Sequence, residues 1–195
     1  VVMNNMIEAI LSRRSVRCYL PQQIESEELD AILTAGLYAA NGGNLQHPRL
    51  IAVQDPEILA LLVRTVRDEL SSQEIIAGQY KNKSIKAAKD SEDYNFLFHA
   101  PTLIIVVSDR DWGNSMADSA GCLQNMQLAA HSLGLGACWV NQLHWLTDAP
   151  SIRGIVENLG MLNKEDIYGS MVVGFPAAQL PAPPPRKPGR IIIHR

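Results

Sequence analysis

Apolar residues recur at helical spacing from the start of the chain, where Met3, Met6, Ile7, Ile10 and Leu11 predict a short amphipathic helix. A second helix is predicted from Ser26, read as its N-cap, with Glu27 and Glu28 in the first turn and an apolar face of Leu29, Ile32, Leu33 and Gly36 running toward Tyr38. Residues 50–53 read as a strand, and Asp55-Pro56-Glu57 opens another helix. Residues 71–95 are polar and weakly periodic, which predicts a mobile helical excursion able to cover a site. The unbroken apolar run 102–107 predicts a strand buried on both faces. A long helix is predicted for 118–133, stopped at Gly134, with a wide core stripe of Cys122, Leu123, Met126, Ala129, Ala130 and Leu133. Residues 137–140 then read as a strand, 151–159 as a helix, and 170–173 as a last strand ending at Gly174-Phe175-Pro176.

This alternation predicts an α+β fold, one unit over residues 1–195 with several helices around a modest sheet. The character changes after Pro176. Six of the 11 prolines lie in residues 176–195, together with Arg186, Lys187, Arg190 and Arg195 and no acid. Such a segment cannot pack as an ordinary core element and is expected to form an extended C-terminal arm. In a homodimer it would cross the partner, with Ile191-Ile192-Ile193 adding a strand to the partner's sheet.

Composition narrows the class of protein. With 47% apolar and 19% charged residues the chain is a folded globular protein, and no apolar run approaches the roughly 20 residues needed to span a bilayer. The first residues lack the features of a secretory signal. Cys18, Cys122 and Cys138 are odd in number and far apart, so no disulfide framework is expected. A formal net charge of −3 argues against a broad nucleic-acid surface but permits small basic pockets. The expectation is a cytoplasmic protein with no membrane or nucleic-acid partner.

Against that acidic background, Arg13, Arg14 and Arg17 crowd into five residues with Ser15, flanked by Ser12, directly after the first predicted helix. Guanidinium forks with neighbouring hydroxyls suit a phosphate; the alternative is a solvated helix end, where cations are also favourable. Arg186 and Lys187 form a second basic cluster that folding could bring to the same anion. Residues 39–48 make a loop rich in small residues and amides, in which Asn44 and Gln46 could pair with the carbonyl–nitrogen edge of a planar heterocycle. A plain surface turn is the alternative for Asn41-Gly42-Gly43-Asn44. Gly134 and Gly136 do not make a dinucleotide fingerprint, because that motif follows a strand and opens a helix, and here the order is reversed. Cys138 reads as a buried thiol, Cys18 as a packing residue, Trp139 as core or interface, and the lysines at 81, 83, 86 and 89 as a solvated face. His99, His131 and His144 lack metal-ligand spacing, so no metal is assigned, and no catalytic dyad is visible.

In this order and spacing, four segments resemble the nitroreductase family of FMN-dependent oxidoreductases. They are Arg13-Arg14-Ser15-x-Arg17, Asn44-Leu45-Gln46, the run from Gln124-Asn125-Met126 to Gly134-Leu135-Gly136, and Gly174-Phe175-Pro176 before the basic tail. The resemblance implies a nitroreductase-like fold with a mostly antiparallel central sheet flanked by helices, and a homodimer with exchanged C-terminal arms and two FMN sites built from both subunits. By the same resemblance Arg13, Arg14, Ser15 and Arg17 contact the flavin phosphate, ribityl chain and ring edge. Ala40, Asn41, Gly42, Asn44 and Gln46 line the isoalloxazine, partly in the other subunit's site. Asn141 and Gln142 lie near the reactive N5, and Arg186 and Lys187 help bind the phosphate. The implied activity is ping-pong hydride transfer from NADH or NADPH through FMN to nitroaromatics, quinones or similar small acceptors, which needs no protein nucleophile. An enone reductase, a reductive dehalogenase and a flavin carrier or sensor without turnover are the alternatives. Many members have serine at the position of Asn41 and Pro-Trp after the glutamine, where this chain has His47-Pro48-Arg49.

Overall fold

A computed structural model describes residues 3–195. Helix α1 (Asn5–Ser12) starts where the Asn4 side chain accepts a hydrogen bond from the Ile7 N–H at 2.9 Å. It buries none of its residues, and Met3, Met6, Ile10 and Leu11 remain exposed. Helix α2 (Ser26–Leu37) begins at the residue expected to cap it: the cap is Glu25, one residue earlier, whose N–H donates to the Glu28 carboxylate at 2.9 Å. Strand β1 (Arg49–Val53) leads to α3 (Pro56–Ser72), capped by Asp55 through the N–H groups of Glu57 and Ile58. Next come α4 (Asn82–Asp90), β2 (Thr102–Asp109), α5 (Ser115–Ser132) and β3 (Gly136–Val140), followed by the single-turn α6 (Gln142–Trp145), α7 (Pro150–Asn158) and β4 (Glu165–Gly174).

The four strands form one antiparallel sheet in the order β1-β2-β4-β3. β2 is central, and its side chains alternate between two cores. Leu103, Ile105 and Val107 pack with Leu62, Val66, Ile85, Ile152 and Val156 of α3, α4 and α7. Ile104 and Val106 pack with Ile32 of α2 and Leu123 and Met126 of α5. The double burial expected from the unbroken apolar run follows from these two helical layers. Gly36 permits the close approach of α2 and α5, since a Cβ there would lie 2.7 Å from Met126 Cγ.

The 71–95 segment is helical at its start and in its middle: α3 extends to Ser72, and α4 buries Ile85 and Ala88, while residues 74–80 and 89–93 are exposed. Two expectations need correction. The long helix starts at Ser115, so Asp118 lies inside its first turn, and Leu133 at its C-cap is exposed. Cys18 is exposed rather than packed, although its carbonyl accepts the Ala177 N–H. Beyond β4 the chain runs beside residues 18–20, with the Leu20 N–H donating to Phe175 O. Leu180 packs on the core, and residues 181–195 are exposed, the isoleucine triplet included. Among the described residues no helix is long and apolar enough to cross a membrane.

Candidate functional site

The basic segment is pinned to the edge of the sheet by its backbone. Val16 N–H donates to Ala137 O at 3.0 Å, and Ser15 forms a parallel bridge with Ala137 of β3. Gly136 makes this approach possible, because a Cβ there would stand 2.7 Å from Val16 Cγ2. The buried Tyr19 hydroxyl donates to Val16 O at 2.7 Å. Arg14, Ser15 and Arg17 thus flank a backbone fixed at several points. Arg13, the C-cap of α1, reaches Gln127 Oε1 of α5 at 3.3 Å, and Ser12 Oγ lies 2.8 Å from His131 Nε2.

Electrostatically this corner is unbalanced. Burial holds the Arg13 guanidinium below its ordinary pKa, with the like charges of Arg14 and Arg186 acting in the same direction and the Cys138 sulfur opposing them. Arg186 on the C-terminal arm thus lies within electrostatic reach of Arg13. Among the described residues no carboxylate forms an ion pair with Arg13, Arg14, Arg17, Arg186 or Lys187. The buried Nε of Arg14 has no hydrogen-bond partner. Crowded cations with an unsatisfied buried donor suit an incoming anion.

Next to this cluster lies a cavity of about 180 Å³ in which Arg17 meets Cys138, Asn141 and Gln142 at the β3–α6 turn. Asn141 Oδ1 accepts from Trp139 Nε1 at 2.7 Å. Gln142 is buried; its amide donates to Tyr94 Oη at 3.0 Å while its Oε1 has no partner. Burial pushes the Cys138 thiol up, and the nearby Arg17, Ser15 and Arg13 only partly offset this, so it stays a neutral wall. Its lining also includes Tyr80, Lys83 and Ser84 from the segment expected to cover a site, together with Trp145 and with Phe98, to which no sequence signal pointed. Tyr80 meets Trp145 edge-on at 5.9 Å, and the Arg17 guanidinium lies 5.9 Å from the Phe98 ring centroid. Lys83, expected on a solvated face, is exposed and also lines this cavity, within the segment expected to cover a site.

The amide-rich loop forms the other half of the candidate site. Gly42–Asn44 make a tight 3-10 turn, the Asn41 Oδ1 accepts from Gln46 N at 3.0 Å, and Gln46 Nε2 donates to Asn44 Oδ1 at 3.3 Å. Gly43, Asn44 and Gln46 have φ of 62°, 54° and 53°, a left-handed conformation that stores strain in the two non-glycine residues. Ala40, Asn44 and Gln46 are exposed. Asn41 and Gln46 line a cavity with Leu37, Ala39, Pro48 and Cys122 that shares no residue with the Arg17 cavity. The loop is tied to α5 at Asp118, and the arginine segment at Gln127. Nine residues of helix separate the two attachments, about 14 Å along the axis. A single chain thus brings together Arg13, Arg14, Ser15, Arg17, Asn141, Gln142 and Arg186, and holds Ala40, Asn41, Gly42, Asn44 and Gln46 apart from them. Lys187 is exposed on the arm.

Comparison with known proteins identifies the family. The nitroreductase family pattern matches residues 10–175. The crystal structure of a nitroreductase with bound FMN from Bacteroides fragilis is 33% identical and superposes with a TM-score of 0.91, covering 99% of this chain and 100% of that one. Among curated proteins, the FMN reductase (NADPH) of Bacillus subtilis is 29% identical over 202 residues, covering 98% of this chain and 74% of its own length. The NADPH-flavin oxidoreductase of Vibrio harveyi is also 29% identical, with the same two coverages. The chain belongs to the nitroreductase family.

Proposed function

We propose that this protein is an FMN-dependent oxidoreductase that uses NAD(P)H to reduce nitroaromatics, quinones or similar electron-poor acceptors by a ping-pong exchange. One observation carries the reading: a cluster of arginines, without carboxylate partners and including the orphaned buried Nε of Arg14, stands beside the cavity at the β3–α6 turn. These residues fit FMN. Arg13, Arg14 and Arg186, with Lys187 on the arm, would hold its phosphate, and Ser15 and Arg17 its ribityl chain and ring edge. Asn141 and Gln142 would line the ring, where the unpartnered Gln142 Oε1 accepts a hydrogen bond. When bound, FMN supplies the hydride chemistry. The chain itself binds, orients and keeps water out with the aromatic wall of Tyr80, Phe98 and Trp145.

The separation of the amide loop from the arginine segment supports a homodimer in which Ala40, Asn41, Gly42, Asn44 and Gln46 line the partner's flavin. Residues 1–195 then act as one FMN-binding unit, with 176–195 as an arm that crosses the partner. Three free cysteines support a reducing, cytoplasmic setting. Titration of the apo-protein with FMN, followed by a steady-state screen of nitroaromatic, quinone, enone and halogenated acceptors with NADPH and NADH, tests the reading. Uptake of one FMN per chain with turnover of nitroaromatics or quinones is expected. A protein that takes up no FMN, or one that turns over only enones or halogenated compounds, contradicts it.

A further inference from the structure

The roles proposed above leave unused one buried carboxylate that has no ion-pair partner among the described residues. Asp118 is 6% exposed, and among the described residues no cation pairs with it. A carboxylate is costly to bury, so its remaining partners carry its meaning. There are two, one on each oxygen. Oδ1 accepts from the Gly42 N–H at 3.1 Å, and Oδ2 accepts from Trp112 Nε1 at 2.9 Å. The Trp112 ring in turn stacks on His47, with centroids 5.2 Å apart and planes 25° from parallel. Gly42 is crowded into this arrangement, since a Cβ there would meet Trp112 Cζ2 at 2.8 Å.

We propose that Asp118 is a positioning residue for the flavin site, holding the loop from Gly42 to His47 at both ends so that Asn44 and Gln46 keep their ring-facing geometry. The proposal rests on the reading of that loop as the lining of an isoalloxazine. Gly42, at the inner end, is tied directly, and His47, at the outer end, is tied through the indole. Between these ties lie Asn44 and Gln46, whose left-handed backbones relax unless the surroundings hold them. His47 is one of the positions where this chain departs from the Pro-Trp common in relatives. Its stack on Trp112 gives the outer end of the loop its link to Asp118.

Asp118→Asn keeps an acceptor for Gly42 and turns an amide N–H toward the Trp112 N–H, while Trp112→Phe removes that donor and keeps a smaller aromatic ring for His47 to stack on. The apo-proteins are titrated with FMN and the visible circular dichroism of the bound flavin is recorded, alongside thermal unfolding of each apo-protein. Asp118→Asn is expected to weaken FMN binding about tenfold, the effect of roughly one hydrogen bond, and to alter the dichroism of the flavin that remains bound, while the apo-protein stays folded. Trp112→Phe shifts both readouts the same way, and the double variant is no weaker than Asp118→Asn alone, because both act through one bond. Wild-type affinity and dichroism in Asp118→Asn, or additive losses in the double variant, overturn the proposal and leave the flavin reading standing. A wild-type protein that binds no FMN overturns both. If Asp118→Asn does not fold, Trp112→Phe decides: unchanged affinity and dichroism overturn the proposal, and a loss in both supports it.

Discussion

An arginine without a carboxylate partner is electrostatically unfinished, and this protein concentrates such residues where its two basic motifs meet. A charge-assisted hydrogen bond contributes about 1.5–3 kcal/mol, so Arg17→Ala or Arg186→Ala is expected to weaken FMN binding by roughly 10- to 100-fold with little change in apo-protein stability. Equilibrium dialysis of FMN against each variant checks this. Tyr19 gives a pH signature of the same segment. Burial raises its pKa well above the ordinary 10.0, with the Cys138 sulfur acting in the same direction and Arg17 opposing. The neutral hydroxyl therefore contributes stability that is complete below about pH 10 and is lost as pH rises beyond it. Tyr19→Phe is expected to cost about 1 kcal/mol at neutral pH, from the lost bond to Val16 O, and to flatten the alkaline limb of urea stability. The arginine motif was legible in the sequence because its members are neighbours. Asp118 and Phe98 were not, because their roles come from contacts across tens of residues that no local spacing reveals.

At the scale of elements, α5 and β3 place the candidate site. The helix anchors the amide loop at Asp118 and the arginine segment at Gln127, about 14 Å apart, and the strand edge holds the arginine segment through Ala137. The apolar run of β2 and the capped start of α3 were readable because burial on both faces and Asp-Pro capping leave strong local patterns. β4 was legible only in its last part. Its first residues, Glu165 and Asp166, look solvent-facing, yet Glu165 is buried against Arg49 at 2.8 Å and accepts the Leu162 N–H. α4 looked loose because its buried face is little more than Ile85 and Ala88. The contact between Gly136 and Val16 gives a direct test. Gly136→Ala is expected to destabilise the protein by about 1–3 kcal/mol through overpacking and, by displacing residues 14–17, to weaken FMN binding as well. Denaturant unfolding and FMN titration on the same sample check both effects.

For the whole molecule, the exposed apolar surface matters most. Tyr38 is 85% exposed, Leu37 and Leu45 lie nearby in sequence, and Met6, Ala9, Ala35, Tyr38 and Leu128 line an open cavity of about 480 Å³ between α1, α2 and α5. This face adjoins the amide loop, so covering it with a second copy of the chain would complete the flavin site. Sedimentation equilibrium is expected to give the mass of two chains, and Tyr38→Asp to yield folded monomers that lose FMN. A monomeric variant with full FMN affinity would contradict a shared site. The sequence motifs announced the cofactor, the family fold and, by resemblance, a site shared between two subunits, whereas the spacing of the two candidate halves along α5 came from the structure.

The central claim, that the chain forms a reducing flavin site, is tested most directly by anaerobic mixing of the FMN-loaded protein with NADPH and, separately, NADH. The account predicts rapid bleaching of the flavin absorbance by at least one donor, and its return when a nitroaromatic or quinone acceptor is added. A flavin that stays oxidised with both donors would make the protein a flavin carrier or sensor and contradict the account.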